Sequence, residues 1–415
     1  MAAPSSPVLV ALLLVARLCA CSARGAFTHA FDSALQSQFI DYGYGTLTSA
    51  QAAFVASKYR VVSLEKCTGG DKNTEAAITA TAAQLKAIDA TLKVIFYWAV
   101  DQQGIWCYSS QAALLANPSW WLRDDAGALV NVSASGPGAL YPRIDWTVPA
   151  ARAWWVSVPL SAPGAARVID GVLADGTGGR CPAARIAPAR CAALVAAKSA
   201  MVRALQDALD AANGGSVLGN GLDVYPDAPP DNNLYTLADM DGIMGEHFAV
   251  FESVRPGGGL DADRVALFIR LVADAAARNK TVVVATWPGP IVTPFTADGW
   301  PSWPNNSQPT DLAGWRAALL DKHRFALAAF LTVAEANVWQ QYEGWYDGFT
   351  QGAIACPQAP DSCAAPADWY PQLAQPLGPP AGPAARAGNV WTRHFLHATS
   401  VLDLDNPDNS GVTFF

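Results

Sequence analysis

From Phe39 to Trp339 the chain alternates between short apolar runs of strand length and longer stretches of helical periodicity. The strand-like runs are Phe39–Tyr42, Arg60–Leu64, Leu92–Trp98, Val168–Ala174, Ser216–Leu218, Gly242–Gly245, Thr281–Trp287 and a weaker Ala336–Trp339. Between them the pattern predicts helices over Ser49–Lys58, Thr74–Ala90, Ala184–Ala212, Asp261–Arg278 and Asp311–Val333. Runs such as LKVIFYW (Leu92–Trp98) and TVVVATW (Thr281–Trp287) are nearly continuous in apolar residues, the mark of parallel strands buried on both faces. Eight βα units in this length point to a (β/α)8 TIM barrel of the α/β class rather than a doubly wound sheet. A dinucleotide fold would need a Gly-rich turn after an early strand. The nearest candidate, Gly176-Thr177-Gly178-Gly179, lacks both the spacing and the helix start.

The two ends read differently. Val8–Ala16 is an apolar run too short to span a bilayer, and Ala23-Arg24-Gly25 offers small residues for cleavage, so residues 1–25 are expected to be a signal peptide. Residues 26–385 are assigned to the barrel and 386–415 to a small C-terminal β extension, whose extended pieces lie in HFLHATSVLDLD. Tyr108 to Pro149 is a long insertion after the third strand, on the face where barrels build their clefts. Gln351 to Gly388, rich in Pro and Ala, reads as irregular wrapping.

The formal charge is −8, or −10 once Arg17 and Arg24 leave with the signal, and no basic cluster stands out; nucleic acid is not an expected partner. No later stretch is apolar for long enough to cross a membrane, so the mature chain is expected to be soluble; with the signal peptide it is expected to be secreted and extracellular, and a monomer is the expected state. Outside the signal lie Cys67, Cys107, Cys181, Cys191, Cys356 and Cys363. An even number in a secreted chain argues for disulfides, and proximity favours Cys181 with Cys191 and Cys356 with Cys363, leaving Cys67 for Cys107. Their spacing fits no zinc pattern, and neither metal nor cofactor is expected. Asn131, Asn279 and Asn305 open glycosylation sequons. The sequence has no G-x-S-x-G elbow, Walker loop, H-E-x-x-H helix or CxxC pair, which weakens the esterase, nucleotide hydrolase, zinc protease and thioredoxin readings.

The chemistry concentrates where strands end. Asp175 follows Gly171-Val172-Leu173-Ala174, and Glu246 follows Gly242-Ile243-Met244-Gly245. A carboxylate leaving a buried strand sits at the mouth of the sheet, and burying it is costly unless it is paired or used. Its alternative is a helix cap or turn for Asp175, and a salt bridge for Glu246. Two such carboxylates in one mouth suit glycosidic bond cleavage, making both candidate catalytic residues. Glu65 and Lys66, closing the second strand, are either further cleft residues or a structural ion pair. Tyr97, Trp98, Asp145, Trp146, Asn220 and Trp287 complete the expected substrate-binding wall, because aromatic faces stack on sugar rings and Asp or Asn side chains grip hydroxyls. Each has a core-packing alternative. Asp170, at the opposite end of its strand, reads as structural, and His247 as a packed histidine.

Several of these segments resemble the hypothetical glycosyl-hydrolase-like TIM-barrel proteins: Val62-Ser63-Leu64-Glu65-Lys66, Val94-Ile95-Phe96-Tyr97-Trp98, Asp145-Trp146-Thr147, Asp170–Gly176 and Gly245-Glu246-His247-Phe248. Trp391–Phe395 with Val401–Asp405 also looks like that group's C-terminal hairpin. The acids of the fourth and sixth strands look like those of α-galactosidase-type retaining barrels, although this chain has Glu246 where that type has Asp. The resemblance implies Asp175 as nucleophile, Glu246 as acid/base and a carbohydrate as substrate. The rival expectations are a catalytically inactive carbohydrate-binding barrel and a structural matrix protein.

Overall fold

The computed structural model describes residues 26–42, 46–69, 73–100, 107–133, 140–162, 164–178, 186–212, 214–222, 238–246, 248–249, 260–286, 312–342 and 370–415. In chain order its strands begin with β1 (Phe39–Tyr42), β2 (Val61–Leu64) and β3 (Lys93–Ala99). The insertion then carries a hairpin, β4 (Asn131–Ser133) and β5 (Leu140–Pro142). The barrel resumes with β6 (Gly171–Asp175), β7 (Ser216–Asn220), β8 (Gly242–Gly245), β9 (Thr281–Thr286) and β10 (Val338–Tyr342).

Eight strands pair in parallel in the order β1-β2-β3-β6-β7-β8-β9-β10. A parallel bridge between Gln38 and Gln340 joins the two edges, where Gln38 Nε2 donates to Gln340 Oε1 at 3.0 Å. Helices connect the strands, including Ser49–Lys58, Thr74–Ile88, Pro188–Ala212, Ala262–Ala277 and Leu312–Val333. The chain is thus a (β/α)8 barrel, as its apolar rhythm implies. Local chemistry sets the helix starts. Thr48 and Gln51 form a reciprocal capping box, and the Asp261 carboxylate accepts from the backbone N–H groups of Asp263 and Arg264.

The fourth barrel strand departs from expectation. Ala165–Val168 is helical and β6 begins only at Gly171. Asp170 explains the late start: its carboxylate accepts from Val94 N–H at 2.9 Å and pairs with Lys86 at 2.6 Å, fixing the chain below the strand. Gly171 then lies so close to β7 that a Cβ would stand 2.4 Å from the Ser216 carbonyl oxygen. The weak eighth run, expected over Ala336–Trp339, forms a strand from Val338 to Tyr342, three residues beyond its expected end, because it pairs with β9 along its length.

A period of two divides the strands between two cores. Phe39, Val61, Ile95, Leu173, Leu218, Met244, Val283 and Trp339 fill the barrel interior. Their neighbours, among them Ile40, Val62, Phe96, Val172, Val217 and Val282, face the helices. Phe27 packs against the interior cluster and its carbonyl accepts from Trp339 Nε1 at 3.1 Å. The Cys67–Cys107 disulfide ties the loop after β2 to the start of the insertion. Closing a loop with a separation of 40 residues stabilises the fold by roughly 4 kcal/mol in the chain-entropy account. Cys191 is also disulfide-bonded; its expected partner Cys181, with Cys356 and Cys363, lies outside the described residues. Among the described residues, no helix is long and apolar enough to cross a membrane.

A four-stranded antiparallel sheet follows, β11 (Ala385–Ala387), β12 (Val390–His394), β13 (Ala398–Asp403) and β14 (Gly411–Phe414). It docks on the C-terminal end of helix Leu312–Val333. There the Arg393 guanidinium donates to the carbonyls of Leu331 and Thr332 and to Glu335 Oε1 at 2.6 Å. A cation at a helix C-terminus meets the negative end of the helix dipole. Arg393 is only 3% exposed, so Arg393→Ala leaves buried carbonyls unsatisfied. We expect a loss of roughly 2–4 kcal/mol in urea unfolding; an unchanged midpoint would show that the sheet is not anchored there.

On the same helix, His323 is stacked on Tyr370 at 4.1 Å and meets Tyr342 edge-on at 5.1 Å, and among the described residues neither ring nitrogen has a hydrogen-bond partner. Burial pushes its pKa down from 6.5 to about 3. Between those values the unfolded chain binds a proton that the folded chain refuses, so stability falls as pH drops through that window. His323→Phe should flatten this acid slope in melting temperature measured from pH 7 to 4. An identical slope in the two proteins would locate the acid sensitivity elsewhere.

Candidate active site

The alternation that sends Ile95, Leu173, Leu218 and Met244 into the barrel brings the next inward position of each strand to its C-terminal mouth. Those positions are Tyr97, Asp175, Asn220 and Glu246. Asp175 lies in register with Ala99 of β3 on one side and Asn220 of β7 on the other. Asn220 Nδ2 donates to Asp175 Oδ1 at 2.9 Å and to Glu246 Oε2 at 2.8 Å. One amide nitrogen therefore holds both acids, and the two accepting oxygens are no farther apart than those two bonds laid end to end. The Tyr97 hydroxyl donates to the other Asp175 oxygen, Oδ2, at 2.5 Å.

Asp175 consequently takes a donor on each carboxylate oxygen. Desolvation of its carboxyl, followed by the charge of Glu246, nevertheless pushes its pKa up from 3.8 to about 6. Lys66 and the Tyr97 hydrogen bond pull it down, while the Glu65 charge adds to the upward push. Tyr97 itself is held well above the usual phenol range, first by burial and then by the charges of Asp175 and Glu65. It stays protonated and acts as a donor.

Glu65 and Lys66 are both buried, and the Lys66 ammonium lies 2.6 Å from Glu65 Oε2. It also sits over the Tyr97 ring, 4.7 Å from the centroid. The two residues form the ion pair that was one of the alternatives for them, and both charges reach Asp175, Lys66 lowering its pKa and Glu65 raising it.

Three expected residues stand apart. Trp98 faces the helices, not the cleft. Its ring stacks on Trp155, its Nε1 donates to the Trp155 carbonyl at 3.0 Å, and Trp155 Nε1 returns the bond to the Ala99 carbonyl. Because Tyr97 points inward, the next residue must point outward. Trp146 is likewise packed edge-on against Trp155 in that outer core. Asp145 accepts from Thr147 within its own turn and lies 3.6 Å from Arg190 of helix Pro188–Ala212, fastening the insertion to that helix. Trp287 lies outside the described residues, as does His247.

Two residues of the surrounding shell went unnoticed among the sequence candidates: Thr177, in the loop after β6, and Lys198, buried on helix Pro188–Ala212. Their contacts cross between elements that no local pattern links. The one sequence hint is the glycine on each side of Thr177.

The profile of hypothetical glycosyl hydrolase family 15 matches residues 86–399. No curated protein matches the chain. Among solved structures, the chain is similar to a maltogenic α-amylase of Thermotoga neapolitana, with 10% identity and a TM-score of 0.43 over 88% of this chain and 83% of that one. It is similar to a trehalose-6-phosphate hydrolase of Bacillus licheniformis, with 10% identity and a TM-score of 0.43 over 74% and 63%. It is also similar to an Anoxybacillus α-amylase, with 9% identity and a TM-score of 0.42 over 84% and 76%.

Removing the Tyr97 hydroxyl isolates its share of this field. In Tyr97→Phe the Asp175 carboxylate loses one donor, so its titration should move up from about 6. Carboxyl-carbon NMR of the two proteins checks this; a titration that stays put or falls would mean that the phenol does not stabilise the carboxylate.

Proposed function

The chain belongs to hypothetical glycosyl hydrolase family 15, and on that premise we propose that it is a retaining O-glycoside hydrolase acting on an oligo- or polysaccharide, with Asp175 and Glu246 as its catalytic pair. The observation that carries this reading is the shared Asn220 amide, which brings both carboxylates together at the barrel mouth. That convergence favours an enzyme over an inactive carbohydrate-binding barrel, which has no need of it. It also favours retention. A retaining pair stands about 5–5.5 Å apart, whereas an inverting pair needs about 6.5–9.5 Å to admit water between acid and sugar.

In this reading Asp175 is the nucleophile. Tyr97 and Asn220 hold one oxygen each and favour its ionised form. Its carboxylate attacks the anomeric carbon while Glu246 gives its proton to the departing glycosidic oxygen. Glu246, now ionised, then takes a proton from water, whose oxygen displaces Asp175 from the anomeric carbon and restores both groups. Tyr97, Asn220, Glu65 and Lys66 line the site on the nucleophile's side, where they orient the carboxylate and meet the sugar hydroxyls nearest to it.

We extend the proposal to a secreted, glycosylated monomer. The Cys67–Cys107 bond supports an oxidising compartment, and Asn131 and Asn279 are both exposed for glycosylation. The Val8–Ala16 run and the Asn305 sequon lie outside the described residues.

A panel of 4-nitrophenyl α- and β-glycosides tests the activity. Asp175→Asn should lose turnover by about 1,000-fold or more with an unchanged melting curve; activity close to wild type would remove Asp175 from the mechanism. Glu246→Gln should still cleave 2,4-dinitrophenyl glycosides, whose leaving group needs no proton, but not alkyl glycosides. Equal losses on both substrates would deny Glu246 the role of acid. Because the nucleophile must be ionised, kcat/KM should fall as pH drops through about 6. A profile flat down to pH 4 contradicts the assignment.

A further inference from the structure

The end of β7 is gripped by the loop that leaves β6. Thr177 donates to the Asn220 carbonyl twice, from its backbone N–H and from its hydroxyl, each at 3.0 Å. The hydroxyl sits in a slot that glycines keep open. A Cβ on Gly219 would stand 2.7 Å from Thr177 Oγ1, and one on Gly221 would stand 3.0 Å from it. Thr177 is 1% exposed, so neither contact competes with solvent.

The loop is fixed from its other side. Lys198 reaches from helix Pro188–Ala212 and donates to the carbonyls of Gly176, at 3.3 Å, and Gly178. Gly176 has φ +77°, the left-handed turn that lets the chain fold back over β7 directly after Asp175. The same five residues, Asp175 to Gly178 with Asn220, thus contain one acid, the amide that links it to the other acid, and the clamp on that amide's backbone.

Asn220 is the last residue of β7, and beyond it the chain leaves the strand to send the Gly221 and Leu222 N–H groups to the Met244 carbonyl. Its side chain must meet two acceptors, one at the end of β6 and one just past β8, which a small rotation of the residue would break. We propose that Thr177, backed by Lys198, is a positioning residue: by fixing the Asn220 carbonyl it aims the amide at Asp175 and Glu246 together. The inference rests on the hydrolase reading and deepens it, since it makes the β6 loop the part that sets the spacing of the catalytic pair.

Thr177→Val keeps the volume and removes the hydroxyl, while Thr177→Ser keeps the hydroxyl. In the valine variant kcat should fall by about 10-fold to 100-fold, with KM changed by less than about threefold. The acidic limb of kcat/KM should move upward, because Asp175 loses part of its amide donor beside Glu246, Tyr97, Lys66 and Glu65. Serine should restore both. A valine variant with wild-type kcat and an unmoved limb overturns the proposal, as does a serine variant as impaired as valine. Should the valine variant fail to fold, Lys198→Met disturbs the same loop from its other side and carries the same expectations.

If the wild-type protein cleaves no glycoside, the hydrolase reading fails while the clamp stays testable. Carboxyl-carbon NMR should then show Asp175 titrating higher in Thr177→Val than in wild type, and identical titrations would refute the clamp.

Discussion

Two carboxylates brought within reach of one amide nitrogen repel each other. At a separation near 5 Å and an effective dielectric near 20, the repulsion is about 3 kcal/mol. The Asn220 amide answers it with one N–H for each acid, and Tyr97 adds a donor on the far side of Asp175. What remains uncompensated shows in Asp175, pushed up to about 6 by desolvation and by Glu246. Above that value Asp175 is ionised, the form that the proposed nucleophile needs.

That arrangement needs a frame stiff enough to hold like charges together, and the barrel provides it through alternation. The residues directly below the site are the apolar interior plug, including Ile95, Leu173, Leu218 and Met244. Each outward neighbour is locked into the helical layer, where Trp98 and Trp155 exchange indole hydrogen bonds with backbone carbonyls. The disulfide at Cys67 and Cys107 draws the loops after β2 and β3 together beside Tyr97, and the Glu65–Lys66 pair completes that side. Far from the site, Arg393 anchors the C-terminal sheet to the end of a barrel helix.

How far this was legible follows from which interactions are local. The strands β1 and β8 and the helix Ser49–Lys58 match their apolar patterns residue for residue. Asp175 and Glu246 stood out because a charge ending an apolar run is a local anomaly. Tyr97 and Trp98 show the limit. Both are aromatic at the end of the same run, yet a period of two allows only one of them to face the mouth, and the register that decides it comes from β6. Asn220 read only as part of a wall, because its role as a bridge depends on two other strands. Asp145 and Trp146 lay in the insertion expected to form the cleft, but they hold that insertion to helix Pro188–Ala212 and to Trp155. Thr177 and Lys198 act across elements, and nothing in their immediate sequence marks a clamp.

In the proposed mechanism the Asn220 bridge holds Asp175 and Glu246 at the spacing of a double displacement. Proton NMR of the sugar first released from a cleaved glycoside, recorded before the anomers equilibrate, tests it most directly. A first-formed product with the anomeric configuration of the substrate is the expected result. An inverted product would require the wider carboxylate spacing that admits water beside the sugar, and would contradict the account.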